Sequence, residues 1–494
     1  MSDVSASPAP ALRQPLPATL AAHAATTAHA DAATVDASGP AALLILGTGG
    51  TIAGAAASAG SATGYQAGAL PIGEILASVP GLAALVPDGR LASEQVFSIP
   101  SEQMDSAHWL QLLARVRAWQ GASRTTGNTQ PVQETCNRHT QPAHATGTQP
   151  AYTTQPARTS RAADAIVITH GTDTLEETAF FLSLVLPPDR PVVLTGAMRP
   201  ATALSADGPA NLYDACRFAL AARAAGIGGA FVQFAGKILR PDAVFKAHAN
   251  QTDAFGQRFG APVGWLEGDV PRWAAPEVLA AATGWQGLFA GLDLGMFTSP
   301  GVAPFSGPDQ PAVQGQSASQ GQLPSQGQLP RQEQPTGQER HTDQGQFTVQ
   351  KPFTAQEPFA SQGQPADQTG TLPRIALVPQ YVDADPALVD WLVQRGHAGL
   401  VLAGTGIGTM PAPVRAALAA ARQQGVMVVR ATRVPAGYVP RNTEARPEHS
   451  DDALGFVTAG WLDAPKARIL LQLCLAAGLR DEQAIQAVFN RFRP

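Results

Sequence analysis

Two stretches of the chain present hydroxyls where an aliphatic run gives way to glycine. In the first, Leu43 to Gly54, four aliphatics lead into Gly-Thr-Gly-Gly-Thr-Ile-Ala-Gly, and Thr51 falls just beyond them. In the second, Ala165 to Thr169 leads into His-Gly-Thr-Asp-Thr, which sets Thr172 beside the carboxylate of Asp173. A threonine hydroxyl is a poor nucleophile until a base takes its proton, and a partly desolvated lysine can be that base. Lys246, in Val-Phe-Lys-Ala-His, is the candidate, and Tyr65, with Gly64 and Gly68 close by, is a group that a lid could deliver. Together these are the parts of nucleophilic amide hydrolysis. Taken singly, each has a plainer reading: a structural strand-to-helix turn at Thr51, an ordinary surface loop at Tyr65.

Spacing removes two other uses of such a glycine-rich turn. Counting G-x-G-x-x-G from Gly47 puts Ile52 in the last position, which breaks the dinucleotide fingerprint. Gly49 and Gly54 give the frame of a phosphate loop, but Ala55 and Ala56 stand where a lysine and a hydroxyl residue must hold phosphate and magnesium.

The elements that must position these groups are legible from periodicity. Leu43 to Leu46 and Ala165 to Thr169 lack polar alternation, as expected of strands covered on both faces, and their carboxyl ends are where open parallel sheets bind ligands. The glycines from Gly47 on predict the turn. Gln95 to Ile99 reads as a strand followed by Ser101 and Glu102. Trp109, Leu112, Leu113 and Val116 fall at helical spacing, with Asp105 or Ser106 as cap. A helix over Leu175 to Leu186 stops at Pro187 and Pro188; helix amides at its start favour negative charge. Strand Val192 to Leu194, a helix through Asn211 to Ala225, strand Phe231 to Phe234 and a hairpin-like Lys237 to Phe245 follow. Ile375 to Val378, Gly399 to Leu402 and Val426 to Val429 read as strands separated by helices near Pro386 to Arg395 and Pro411 to Gln423. Closing helices cover Pro465 to Ala477 and Asp481 to Asn490, the latter capped by Asp481. Strands alternating with helices predict an α/β protein with a parallel sheet. A larger N-terminal catalytic domain spans 41–302 and a smaller C-terminal α/β domain 372–494.

Composition sets off the rest. Residues 1–40 are Ala-rich with no basic start or continuous apolar run, so they read as a disordered leader rather than a secretory signal. The tract 121–160 and the linker 303–371, which repeats Ser-Gln-Gly-Gln-Leu-Pro at 319–324 and 325–330, are too poor in aliphatics to offset the entropy of ordering. His139 and His144 lack acidic or cysteine partners for a metal. Across 494 residues, a formal charge of -5 with 14% charged residues gives no basic footprint, so neither nucleic acid nor an anionic membrane is expected as a partner. Hydrophobic content of 44% supports sizeable cores, and no run is long enough to span a bilayer. Cys136, Cys216 and Cys474 show neither zinc spacing nor a disulfide framework. No cofactor or metal is indicated, and the expected compartment is the cytoplasm, with the periplasm as the alternative.

Gly-Thr-Gly-Gly-Thr-Ile-Ala-Gly at 47–54 and Thr-His-Gly-Thr-Asp-Thr at 169–174 closely resemble the two signatures of bacterial L-asparaginases. Gly-Ala-Met-Arg-Pro at 196–200, Ser-Ala-Asp-Gly-Pro at 205–209 and Arg-Val-Pro at 433–435 extend the resemblance in order through both domains. It implies hydrolysis of L-asparagine to L-aspartate and ammonia, with a weak action on glutamine. Thr51 would be the nucleophile and Tyr65 its lid partner, with Thr172, Asp173 and Lys246 as the second catalytic group. Ser101 and Glu102 would hold the substrate's α-carboxylate and α-ammonium, Asp173 sharing the ammonium. Glu448 matches an acidic residue lent to a neighbouring subunit's site, which implies a homotetramer. Two departures stand out: Ile407 occupies a position where some members carry Asn near the substrate, and Pro187 to Asp189 lacks the cysteine of a disulfide found in secreted members. Two rival readings are an amino-acid-binding protein without catalysis on the same scaffold, and an interaction scaffold working through the Gln/Pro-rich tracts.

Overall fold

The computed structural model describes residues 41–58, 64–86, 90–120, 163–297, 372–441 and 450–494. The leader, both low-complexity tracts (with His139, His144 and Cys136) and Glu448 therefore lie outside the described residues.

The larger sheet is built from β1 (Ala41–Gly49), β2 (Leu91–Ile99), β3 (Ala163–Thr169), β4 (Pro191–Thr195), β5 (Gly229–Phe234) and β6 (Lys237–Leu239). A two-stranded ribbon of β7 (Val244–Lys246) and β8 (Phe255–Gln257) leaves it before β9 (Gly264–Glu267) and β10 (Val270–Trp273) complete its edge. The smaller sheet comprises β11 (Ile375–Pro379), β12 (Gly399–Gly404), β13 (Met427–Thr432) and β14 (Val457–Thr458). The helices are α1 (Ile72–Ala77), α2 (Leu82–Leu85), α3 (Ser106–Gln120), α4 (Leu175–Val185), α5 (Gly208–Ala224) and α6 (Pro276–Thr283). They continue in α7 (Ala387–Gln394), α8 (Ala412–Gln423), α9 (Ala464–Ala476) and α10 (Glu482–Phe489).

In the larger sheet the order runs β10-β9-β6-β5-β4-β3-β1-β2, with β2, β1, β3, β4 and β5 mutually parallel. From β1 the chain goes to β2 on one side and then returns to β3 on the other. The crevice at the carboxyl ends of β1 and β3 is thus a switch point of the topology, the place where open α/β sheets bind ligands.

Unbroken apolar sequence in the central strands follows from their burial on both faces. Leu43, Ile45, Ala165 and Val167 face one layer with Leu212, Phe218 and Ala219 of α5. Leu44, Leu46, Ile166 and Ile168 face another, which includes Phe180 and Phe181 of α4, Leu112 of α3 and Leu470 of α9, and extends to Val401 and Val429 of the smaller sheet. Helices α3, α4 and α9 therefore share one core between the sheets, while Val414 and Leu418 of α8 belong to a separate cluster with Leu400 and Val428. Truncating a fully buried leucine here, such as Leu44, is expected to cost about 2–5 kcal/mol.

The structure revises several local expectations. β1 does not end at Leu46: it runs on to Gly49, slipping register against β2 between Gly47 and Gly49, so the glycines form a bulged strand end. Lys237 to Phe245 is not a hairpin, because β6 pairs with β5 and β9 whereas β7 pairs with β8. A turn around the buried Arg240–Asp242 pair, with the amides of Ala243 and Val244 donating to the Arg240 carbonyl, carries the chain out of the sheet. Asp481 does cap α10, accepting from the Ala484 amide at 2.8 Å.

Candidate active site

Three loops meet at the switch point. The turn after β1 holds Thr51 at the head of a 3-10 segment, Thr51–Ala53. A second 3-10 segment after β2 holds Ser101 and Glu102, and the His170–Thr174 loop joins β3 to α4. The strand ends are tied directly, Thr48 Oγ1 donating to the Thr169 carbonyl at 2.9 Å.

Glycine lets these loops touch backbone to backbone. Gly50 adopts φ 79°, and a Cβ there would stand 2.3 Å from Gly171 Cα. A Cβ on Gly171 would stand 2.6 Å from Ser101 Oγ. No real side chain sits so close, so both positions require glycine for the approach as well as, at Gly50, for the torsion. Ser101 stitches the loops from its side: its Oγ accepts from the Asp173 amide at 3.1 Å and its carbonyl accepts from Thr174 Oγ1 at 2.8 Å.

The hydroxyls fall into two groups. Thr51 Oγ1 lies 2.6 Å from Tyr65 Oη, with the phenol ring close over Gly54. Lys246 Nζ donates to Thr172 Oγ1 at 2.8 Å and to Asp173 Oδ1 at 2.5 Å. A cleft of about 270 Å³ is lined by Thr51, Tyr65, Ser101, Glu102 and Asp173, with Gly50 and Gly171 in its wall. It is polar, open, and the right scale for an amino acid rather than a polymer. Thr172 and Lys246 do not line it; they reach it through Asp173.

The sequence reading placed Thr51, Tyr65, Ser101, Glu102, Thr172, Asp173 and Lys246 here, and the fold brings all seven to one strand edge. Ile407 is apart from the cleft, 56% exposed at the carboxyl end of β12. Two residues went unread. Burial depresses the His170 imidazole to about 4, which keeps it neutral, and its ring Nδ1 is bonded to the Gly171 carbonyl. Glu176, in the first turn of α4, accepts the Lys246 main-chain N–H at 2.6 Å, and burial raises its carboxyl to about 7. An acid in the first turn of a helix has the plainer reading of a partner for the helix amides, so its sequence position does not announce this bond.

An open α/β sheet with paired hydroxyls, a lysine and a zwitterion-sized polar cleft at its switch point defines an amide-hydrolase type of site. The comparisons agree. The asparaginase N-terminal family model matches residues 42–127 and 146–278, and the glutaminase/asparaginase C-terminal domain model matches residues 374–489. Between them they cover well over half of the chain, which belongs to the glutaminase/asparaginase family. It is 29% identical over 451 residues to the probable periplasmic L-asparaginase of Haemophilus influenzae, covering 91% of this chain and 93% of that one. To the glutaminase-asparaginase of Pseudomonas fluorescens it is 29% identical over 448 residues, covering 90% and 89%. The crystal structure of a probable cytoplasmic L-asparaginase from Campylobacter jejuni superposes with a TM-score of 0.61 at 26% identity, covering 91% of this chain and 99% of that chain. Among the described residues no helix is long and apolar enough to cross a membrane.

Proposed function

We propose that the chain hydrolyses L-asparagine to L-aspartate and ammonia, with Thr51 as nucleophile. The observation that carries this is the Thr172–Lys246–Asp173 chain of bonds, in which Lys246 Nζ donates to Thr172 Oγ1 at 2.8 Å and to Asp173 Oδ1 at 2.5 Å, ending at the cleft that holds Thr51. In this reading the substrate's α-ammonium lies between Asp173 and Glu102 and its α-carboxylate at Ser101, a charge-complementary clamp. Thr51 Oγ adds to the side-chain amide carbon. Lys246, acting with Thr172, takes the hydroxyl proton and returns it to the departing nitrogen, so ammonia leaves and an ester remains on Thr51. Water then cleaves that ester with the same proton transfers, releasing aspartate and restoring the hydroxyl.

The same reading divides the chain into a catalytic domain at 41–302 and a smaller domain at 372–494, and assembles it as a homotetramer. Support for assembly comes from the apolar carboxyl edge of the smaller sheet, where Tyr381, Val382, Ile407, Val434 and Tyr438 are exposed, Val382 at 88%. Such a patch suits a second copy of the chain, and the family resemblance makes Glu448 the residue lent to a neighbour's site. The unpaired, buried Cys216 and Cys474 suit a reducing cytoplasm.

Ammonia release from asparagine and from glutamine, measured side by side, tests the function. Turnover of asparagine with a slower glutamine reaction is expected. Asparagine binding without ammonia would turn the reading into that of a binding protein.

A further inference from the structure

Lys246 sits at the end of a strand only three residues long, in a ribbon outside the main sheet, yet its amine must be placed to a fraction of an ångström. Pairing with β8 fixes the ribbon internally but not against the Thr172 loop. Two side chains from other elements do that, the half-buried carboxyl of Glu176 and the buried amine of Lys466. At the Lys246 end, Glu176 Oε2 accepts the Lys246 amide at 2.6 Å. At the Val244 end, Lys466 of α9 donates to the Val244 carbonyl at 2.7 Å. Lys466 is itself fixed by Asp463, the N-cap of α9, whose Oδ1 accepts the Lys466 amide at 2.8 Å and whose Oδ2 accepts its Nζ at 2.9 Å.

On the proposed role of Lys246 as base, we infer that Glu176 and Lys466 are positioning residues for it: they clamp both ends of its strand and set its amine against Thr172. The bonds close a ring. Thr172 leads into α4, Glu176 in that helix's first turn holds the Lys246 main chain, and Lys246 Nζ returns to Thr172 Oγ1. Through Lys466 the ring is extended to α9, so the C-terminal part of the chain takes part in placing a base carried by the N-terminal part. Neither side chain is among those that line the cleft.

The charged groups around Glu176 are Lys466, Asp463 and Glu177; of these Lys466 favours its carboxylate form and both acids oppose it.

The test uses the full chain with asparagine, once the unmodified protein has been seen to release ammonia. Glu176→Ala should lower kcat about 10- to 100-fold with KM within about twofold, because the clamp acts on the base and not on the substrate. Glu176→Gln, which keeps an oxygen facing the Lys246 amide, should recover most of that loss. In a Lys246→Ala background Glu176→Ala should change nothing further, since the residue it positions is gone. A folded Glu176→Ala enzyme with kcat within twofold of the original, or an unchanged cost in the Lys246→Ala background, overturns the inference. Full activity in Lys246→Ala alone would instead overturn the role of the lysine. Lys466→Met should reproduce the kcat loss with KM unchanged; should it fail to fold, the Glu176 series decides.

Discussion

Thr51 and Thr172 lie just past the ends of neighbouring strands, β1 and β3 being paired in register from Ala41 with Ala163 to Gly47 with Thr169. Their surroundings differ. Thr51 lines the cleft and is bonded to a phenol; Thr172 does not line it and is bonded to an amine backed by a carboxylate. The alcohol beside the phenol faces the cleft with no amine in contact, whereas the alcohol at Thr172 has Lys246, the proposed base, within hydrogen-bond reach. On the proposed mechanism this is a division of labour: one strand end would present the group that attacks, the other the group that moves its proton. Neither half makes a hydrolase alone.

The most severe way to break this comparison is to remove either hydroxyl. Thr51→Ala and Thr172→Val should each lose turnover by several orders of magnitude while circular dichroism and melting stay close to those of the parent, because the members of a catalytic unit fail together. A Thr51→Ala enzyme keeping more than about a tenth of the rate has lost under about 1.4 kcal/mol of barrier and would not have lost its nucleophile. If only one substitution were damaging, the division of labour would fail and the surviving threonine would be structural.

A less drastic test separates the halves without touching either. Gly171→Ala places a methyl 2.6 Å from Ser101 Oγ and 3.1 Å from Gly50 Cα. The loops must part, Ser101 must lose its contact with the Asp173 amide, and overpacking should cost about 1–3 kcal/mol. Displacement of about an ångström at the reacting centre should lower kcat/KM about 100-fold. Parent-like kinetics would mean the close approach of the two loops is not what sets the chemistry.

These differences explain how far the sequence could be read. β1 and β3 were visible because strands buried on both faces carry no polar alternation, and the hydroxyls after them were visible because residues at strand ends keep a fixed offset from the apolar run. Lys246 was placed by its local motif, but its strand was misjudged, since a three-residue element leaves no periodicity to find. Two-residue β14 went unread for the same reason. Glu176 was missed because its partner is a main-chain N–H seventy positions away, and a backbone donor has no signature in the residue type. The contact of Gly50 with Gly171 was equally hidden: glycine announces conformational freedom, not which segment will pass close to it.

The second strand end also carries buried titrating groups, which sharpens the contrast by stability rather than rate. Between about pH 4.5 and 7 folded Glu176 keeps a proton that the unfolded chain has released, so its contribution to stability falls as pH rises. His170 works the other way: from about pH 6.5 down to 4 the unfolded chain takes up a proton the buried ring refuses, so stability falls on acidification. The two slopes oppose one another where they overlap. Glu176→Gln removes the first, so its unfolding free energy relative to the parent should rise by about 1.4 kcal/mol per pH unit across the Glu176 window. Urea titrations of both proteins at pH 4.5, 5.5, 6.5 and 7.5 measure it, and a difference independent of pH would mean that the carboxyl is ionised in the fold throughout.

The smallest expected effect concerns substrate length. With Thr51 on one loop and Ser101 and Asp173 on others, the clamp and the nucleophile are held a set distance apart, which favours one side-chain length over another. One extra methylene is discriminated by only about 1–3 kcal/mol, so glutamine should be turned over at about a tenth to a two-hundredth of the efficiency of asparagine. Ile407 lies away from the cleft in its own chain and is exposed at the apolar edge proposed to meet a second copy, so it would act across that contact if at all. An isoleucine there offers no hydrogen bond to the longer substrate. Ile407→Asn should therefore raise the glutamine-to-asparagine ratio of kcat/KM by a few-fold, about 1 kcal/mol or less, and leave asparagine turnover nearly unchanged. Light scattering of the variant must show the parent's oligomeric state for the comparison to count. No response in a correctly assembled variant would place length selection wholly in the loops around Thr51 and Ser101, and would separate the chemistry of the large sheet's edge from the packing of the small one.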